Sequence, residues 1–589
     1  MNFSPTDYGI FTVYLLGMMA FGLWLSRKKG GTETTQDYFL AGNSLPWWAI
    51  GASLIASNIS TEQIMAMNGA GFEVGMAIAT YELLAALTLI IVAKYFLPVF
   101  IKKGIYTMPQ FLEKRFNGQV RSLLSVFWVA LFVFVNITSV LYLGGLAIQS
   151  ILGIKLIYGI LLLVVYSAAF SIFGGLKAVV WTDVVQVTVL VIGGSIASIL
   201  VLSAIGNGNP IDGLSELFAK APEKFDMIFG LTDTYVDTSG ATKSSYELLP
   251  GITVLFGGMW IANLYYWGSN QYIIQRALAA KNIREAQKGV AFAGFLKLLM
   301  PFIVVIPGIA GFVLAADIVK AEEVFPWVLN NYVASGLKGL VLAALVAAIG
   351  SSISSMVNSA STIFTLDIYR PLIRPDKPDA HYVRTGKIAA AAALLIGAAI
   401  APALGSLGQV FQYIQEYTGF ISPGVVAIFL FGMFWRPTTS RAALAVVILS
   451  IPISLSIKLG FPELPFLDRM GIAFLVCCTL LAAISYFENK SEAKDGKKPI
   501  GALGMLIAMT IIGGATALKF MMEGIWPVAI SIMIFGILAI GGALVWAGRG
   551  KADAKAITHE AGMFKTDTFF NFATVGICLV LSLIYVFLG

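Results

Sequence analysis

IASNISTEQ, Ile55 to Gln63, sets Ser57, Asn58, Ser60, Thr61, Glu62 and Gln63 inside an apolar stretch that begins at Pro46. That stretch is long enough to cross a membrane as a helix. A strongly polar side chain in hydrocarbon is disfavoured by a few kcal/mol, so such residues face a bundle interior or a water-filled path. The stretch therefore predicts a polytopic membrane protein with a polar interior.

Composition agrees. Of 589 residues, 58% are hydrophobic and 12% charged, against roughly 25% charged in an ordinary soluble domain. The chain reads as all-α with about sixteen spans, among them 7–26, 46–73, 76–100, 156–175, 249–275, 289–316, 336–364, 408–435, 499–518 and 525–547. The first is followed by Arg27, Lys28 and Lys29 without a small-residue cleavage site, so it reads as a retained span rather than a signal peptide. The longest polar stretch, 207–248, is too short for a soluble catalytic domain.

With the amino terminus outside, 28 of the 39 basic residues fall in cytoplasmic loops, including Arg276 and the group Arg370, Arg374, Lys377, Arg384 and Lys387. Nine, including Lys519, fall opposite. The positive-inside rule then sets both termini outside. Topology explains the net charge of +7, and no nucleic-acid partner is needed. Lys94 and Lys297 are left within spans.

Four places echo the opening stretch: Glu82 in YELL, WIANLYYWGSNQYIIQR (260–276), AAIGSSISSMVNSAS (347–361) and GQVFQYIQEYTGFISPG (408–424). Each has a plainer reading. Small residues such as Gly350, Ser351 and Ser352 let helices pack closely, Asn263 and Asn270 could join helices, and Glu82 with Lys297 could form a structural ion pair. Five such features at similar depth point instead to an enclosed site.

The second and seventh spans each carry a Gly/Ser/Asn interruption and lie five spans apart, the pattern of a five-helix repeat present twice with opposite orientation. The parts expected are residues 1–45 as a peripheral span and loop, 46–206 and 249–435 as the two repeats, 436–498 as peripheral spans, 499–548 as two extra spans, and 549–589 as the last. Carbonyls near Ala56 to Ile59 and hydroxyls near Ala348 to Ser352 suit a hard cation such as sodium. Amides and charges at Gln63, Asn263, Gln415, Glu82 and Lys297, beside rings at Tyr81, Tyr266, Trp267 and Phe411, suit a polyhydroxylated ring.

The segments DYFLAGNSLPWWAIGASLIASNISTEQ (37–63), GGLKAVVWTDVVQV (174–187), WIANLYYWGSNQYIIQRALAAK (260–281), IGSSISSMVNSASTIFTLDIY (349–369) and FQYIQEYTGFISPG (411–424) closely resemble the solute:sodium symporter family, nearest its bacterial sodium/galactose, sodium/glucose-cotransporter-like members. The resemblance implies a five-plus-five, leucine-transporter-like core in the cell membrane that imports a sugar with sodium as the co-transported ion and needs no obligate protein partner. By position it implies sodium ligands at the Ala56, Ile59 and Ala348 carbonyls and the Ser351 and Ser352 hydroxyls. It implies sugar contacts from Gln63, Glu82, Asn263, Lys297 and Gln415, an inner gate at Tyr266, and an outer gate of Met67, Tyr81 and Phe411. Asp183 matches an acid on the sodium exit route.

The chain departs from the galactose pattern at Ala85, where a serine is usual, and at Phe132, where a tyrosine is usual. The spans 499–518 and 525–547 are also additional to the family's sugar symporters. Competing readings are a sodium symporter for a polyol, a sialic acid or an amino acid, a sugar sensor that moves nothing, and a membrane enzyme, for which Glu82 and Lys297 are the only catalytic candidates.

Overall fold

A computed structural model describes residues 4–25, 34–60, 62–406, 410–489, 500–523 and 528–588. The helices that concern the site are α1 (Pro5–Leu25), α2 (Trp47–Asn58), α3 (Met67–Val74), α4 (Thr80–Ile91), α5 (Gly118–Ala130), α6 (Thr138–Leu152), α7 (Leu156–Ile205, kinked at Gly175), α8 (Met259–Leu264), α9 (Gln271–Leu278) and α10 (Ile283–Val304). They are followed by α11 (Leu337–Ile363), α12 (Asp379–Ile400), α13 (Val410–Phe434), α14 (Ser440–Gly460), α15 (Phe466–Glu488), α16 (Ile500–Glu523), α17 (Val528–Ala547) and α18 (Thr568–Leu588).

The polar stretch breaks its helix. The Ile59 N–H makes the last helical bond to the Ile55 carbonyl (2.9 Å), and Ile59 itself turns extended (φ −78°, ψ 100°). The chain resumes through a π-helical turn, Glu62–Ala66, into α3. The seventh span breaks in the same way: the π-helical turn Tyr265–Ser269 after α8 leads to Asn270, extended at φ −84° and ψ 123°, and then to α9. Above it, Ser245–Phe256 meets Met259–Ser269 at a bend of 74°. The bend is fixed by close approach, since a Cβ on Gly258 would lie 1.9 Å from the Leu467 carbonyl oxygen.

Small residues draw the broken helices against their neighbours. A Cβ on Gly51 would lie 2.6 Å from the Gly289 carbonyl, so α2 and α10 cross with backbones touching. α11 is buried at every residue from Val341 to Ile363, its serines and Asn358 included, which places it at the centre of the bundle. The periphery is the reverse. Val13 and Leu16 on α1 and Phe572 and Val586 on α18 are exposed apolar side chains, which marks a surface facing lipid.

Among the described residues, thirteen helices are long and apolar enough to cross a bilayer, or fourteen with the bent pair counted as one span. This corrects the expected sixteen. Residues 46–73 hold two helices of 12 and 8 residues rather than one long one, and 156–175 is not a separate helix but the first part of α7, which runs on to Ile205 through the kink at Gly175. A third difference has the same origin: Gln63–Lys102 is helical over 40 residues, but Gly75 at φ 81° turns the chain, because a straight helix of that length would be about 60 Å long, twice the hydrocarbon thickness.

The two described ends share a face. Asp7 accepts from the N–H groups of Gly336 (2.7 Å) and Gly339 (2.9 Å), and the Leu588 carbonyl accepts from Met227 (3.1 Å). α3 ties these regions together, with Gly69 against Ala321 and the Glu73 carbonyl accepting from Lys224 Nζ at 2.5 Å. The extra helices α16 and α17 pack on α15, where Gly513 meets Leu475 and Leu538. Lys519, expected in a loop, is instead fully buried in an ion pair with Asp468, with the Tyr246 ring 4.4 Å away. A lysine at the end of an apolar helix looks like a loop residue in sequence; only packing supplies the buried carboxylate.

Candidate solute and sodium site

Four elements converge on one polar network. Lys297 of α10 forms a buried ion pair with Glu82 of α4 and also donates to the side-chain oxygen of Asn58, the last residue of α2. Asn58 Nδ2 donates to the Tyr266 hydroxyl at 3.0 Å, which brings in the turn after α8. The Lys297 ammonium also lies 5.2 Å from the Trp267 ring centre. The break after Asn58 is what makes this possible, because it frees the final side chain of α2 to reach across rather than along the bundle.

Gln63 Oε1 accepts from the Ser60 backbone N–H (3.1 Å) and hydroxyl (3.0 Å), which braces the turn after the break. Asn263 is buried and donates to the Met259 carbonyl at 3.2 Å. Met67 is buried and Tyr81 half-buried near the start of α4. The side chains of Gln415 and Phe411, both on α13, lie outside the described residues.

The two departures acquire positions. Ala85 is buried one turn after Glu82. Phe132 is buried edge-on to Tyr272 at 5.6 Å, and Tyr272 is edge-on to Tyr266 at 5.7 Å. Phe132 is thus joined to the network through Tyr272, by an aromatic contact where a phenol would have offered a hydroxyl.

Beneath the break, α2 meets α11. A helix end leaves carbonyls without helical donors and carries the negative end of the helix dipole, both favourable to a cation. Ala56, Ile59 and Ala348 are all buried here. Ser352 Oγ donates to the Ser57 carbonyl (3.1 Å), and the hydroxyls of Ser57 and Ser355 are 2.9 Å apart. The two predicted hydroxyls diverge in use, since Ser351 Oγ donates to Asp183 Oδ1 at 2.6 Å.

Asp183 also accepts from Ser53 Oγ at 2.5 Å and lies 3.7 Å from the Arg276 guanidinium. Arg276 was expected in a cytoplasmic loop, yet it is fully buried; it donates to Ser53 Oγ at 3.0 Å and also to Ser355 and the Tyr272 carbonyl. Its neighbours on α9, Gln271 and Gln275, are buried too. That polar spacing after the second break was the signal available in sequence.

A model of the sodium:solute symporter family matches residues 38–450. The chain is 49% identical over 541 residues to a sodium/glucose cotransporter of Vibrio parahaemolyticus, covering 86% of this chain and 98% of that one. It is 33% identical to a sodium/myo-inositol cotransporter 2 of Mus musculus, covering 77% and 70%. The solved structure of a sodium-coupled sialic acid symporter in a substrate-bound outward-open state has the same fold, with a TM-score of 0.72 at 24% identity over 82% of this chain and 98% of that one. With two helices broken at mid-bundle around a buried polar network, and with these matches, the chain belongs to the sodium:solute symporter family.

Proposed function

We propose that this multi-pass membrane symporter couples downhill sodium movement to uptake of a hexose-like sugar by alternating access. The observation that carries the reading is the double placement of Asn58. Its backbone ends α2 beside Ser57 and Ser352, while its side chain holds Lys297 and Tyr266. Sodium held by the Ala56, Ile59 and Ala348 carbonyls with Ser352 and Ser351 would fix the broken end of α2. That in turn orders the Glu82, Lys297, Gln63 and Asn263 groups for sugar hydroxyls, with Gln415 completing the site.

The coupling is reciprocal, so sodium tightens sugar binding by the factor by which sugar tightens sodium binding. One charge moving down the membrane potential adds about 2.3 kcal/mol per 100 mV. Tyr266 closes the site on its inner side, Met67, Tyr81 and Phe411 close the outer side, and sodium leaves past Asp183. The two repeats are residues 46–206 and 249–435, both termini face outward, and the basic loops face the cytoplasm. The chain catalyses no covalent reaction and works without an obligate protein partner.

A cyclic polyol is the second reading. The 33% relative is a sodium/myo-inositol cotransporter, and the missing hydroxyls at Ala85 and Phe132 alter the pattern expected for galactose. Uptake of radiolabelled glucose, galactose and myo-inositol into proteoliposomes, with inward sodium or potassium gradients, separates the two. Uptake of none of these above the potassium control refutes sugar symport.

A further inference from the structure

On the flank of the bundle, away from the solute site, α5 and the turns that follow it, the inner end of α11 and helix α12 enclose a groove of about 870 Å³. Its walls are Val129 and Val133, Phe364 and Ile368, and Ala389 and Ala392. One end is polar, with Tyr369, His381, Arg384 and Thr385. Phe134 (54% exposed) and Ile388 (62% exposed) also line it, so it opens onto bilayer-facing surface and lipid hydrocarbon is what covers it.

Length and charge narrow the occupant. Arg384 to Ile396 covers thirteen residues of α12, about 18 Å from first to last along a helix. Half of a ~30 Å hydrocarbon core is about 15 Å, so the groove accommodates one acyl chain of one leaflet. At its polar end the Tyr369 hydroxyl and His381 Nε2 are 3.1 Å apart, and Arg384 is exposed. No ion-pair partner of Arg384 is found among the described residues. The acid on the same helix, Asp379, is occupied by the Thr35 backbone N–H at 3.1 Å. The segment continues the basic face, with Arg370, Arg374, Lys377 and Lys387 close in sequence. Basic pockets between spanning helices on that side of a membrane suit anionic headgroups.

We propose that this groove is a binding site for an anionic glycerophospholipid, its acyl chain lying along α12 and its phosphate held by Arg384 with His381 and the Tyr369 hydroxyl. The proposal is independent of which solute is transported.

Native mass spectrometry of the purified full-length chain, released from nanodiscs holding equal amounts of dipalmitoyl phosphatidylglycerol and phosphatidylcholine, tests it. The wild type should retain phosphatidylglycerol over phosphatidylcholine by about fivefold, the factor expected of one cationic side chain near an anionic headgroup. Arg384→Gln should bring the two lipids near parity. Ala392→Trp, which fills the groove from an exposed position, should lower retention of both. Equal retention by the wild type, or an undiminished preference in Arg384→Gln, would overturn the proposal. Displacement of the lipid by chainless glycerol 3-phosphate would overturn the role of the acyl chain.

Discussion

Lys297 joins α10 to α4 and to the end of α2 at the proposed solute site, and its removal tests that proposal. Its ammonium has two acceptors, Glu82 Oε2 and Asn58 Oδ1, in an ion pair whose side chains are 1% and 5% exposed. Lys297→Met strands the Glu82 carboxylate without its cation, and breaking a buried pair in this way costs about 3–5 kcal/mol. Glu82→Gln is the milder change. It leaves the ammonium with Asn58 and with a neutral amide oxygen, so a loss of about 1–3 kcal/mol is expected, the range for a compromised buried polar group.

The double variant Glu82→Gln/Lys297→Met removes both charges and should recover most of the stability lost in Lys297→Met. It should not recover transport, because the groups proposed to meet the solute are gone. Thermal unfolding in a single detergent, followed by tryptophan fluorescence, ranks the stabilities, and sodium-driven uptake into proteoliposomes gives the activity. The reasoning fails if Lys297→Met is no less stable than Glu82→Gln, or if the double variant transports like wild type.

Three further outcomes are expected. Ser352→Ala removes the hydroxyl aimed at the end of α2 and should raise the sodium concentration for half-maximal uptake by about tenfold, the effect of losing roughly 1.4 kcal/mol of binding; an unchanged sodium dependence would exclude Ser352 as a ligand. Asp183→Asn leaves Arg276 facing a neutral amide oxygen and its acceptors Ser53, Ser355 and the Tyr272 carbonyl, and should destabilise by about 1–3 kcal/mol, with partial recovery in Asp183→Asn/Arg276→Gln, read by the same unfolding assay. Gly350→Ala places a Cβ 2.2 Å from the Tyr166 ring and should cost about 1–3 kcal/mol, which Tyr166→Leu should relieve in the same measurement.

The membrane class, the two broken helices and the membership of the family were legible in the sequence, because each rests on a local cause. Burial in lipid demands apolar runs, and a Ser/Asn interruption inside such a run offers the backbone and side chains other partners than the helix. Ile59 and Asn270 adopt extended conformations at the interruptions the sequence marks. The pairing of Glu82 with Lys297 was weighed from two isolated charges and is realised by contact between α4 and α10. The number of long spans was overestimated because hydropathy measures length in residues and is blind to the break that splits 46–73.

What only the tertiary structure decided is which polar groups meet. Arg276 and Lys519 looked like loop charges at the ends of apolar runs; each is buried against an acid remote in sequence, Asp183 and Asp468 respectively. Asn58 was readable as part of the break, but its bonds to Lys297 and Tyr266 depend on how three helices cross. A sequence records the desolvation cost of a polar group at the place where it is written. The partner that offsets that cost is set by packing, and here packing joins the end of α2 to both the Glu82–Lys297 network and the serines of α11.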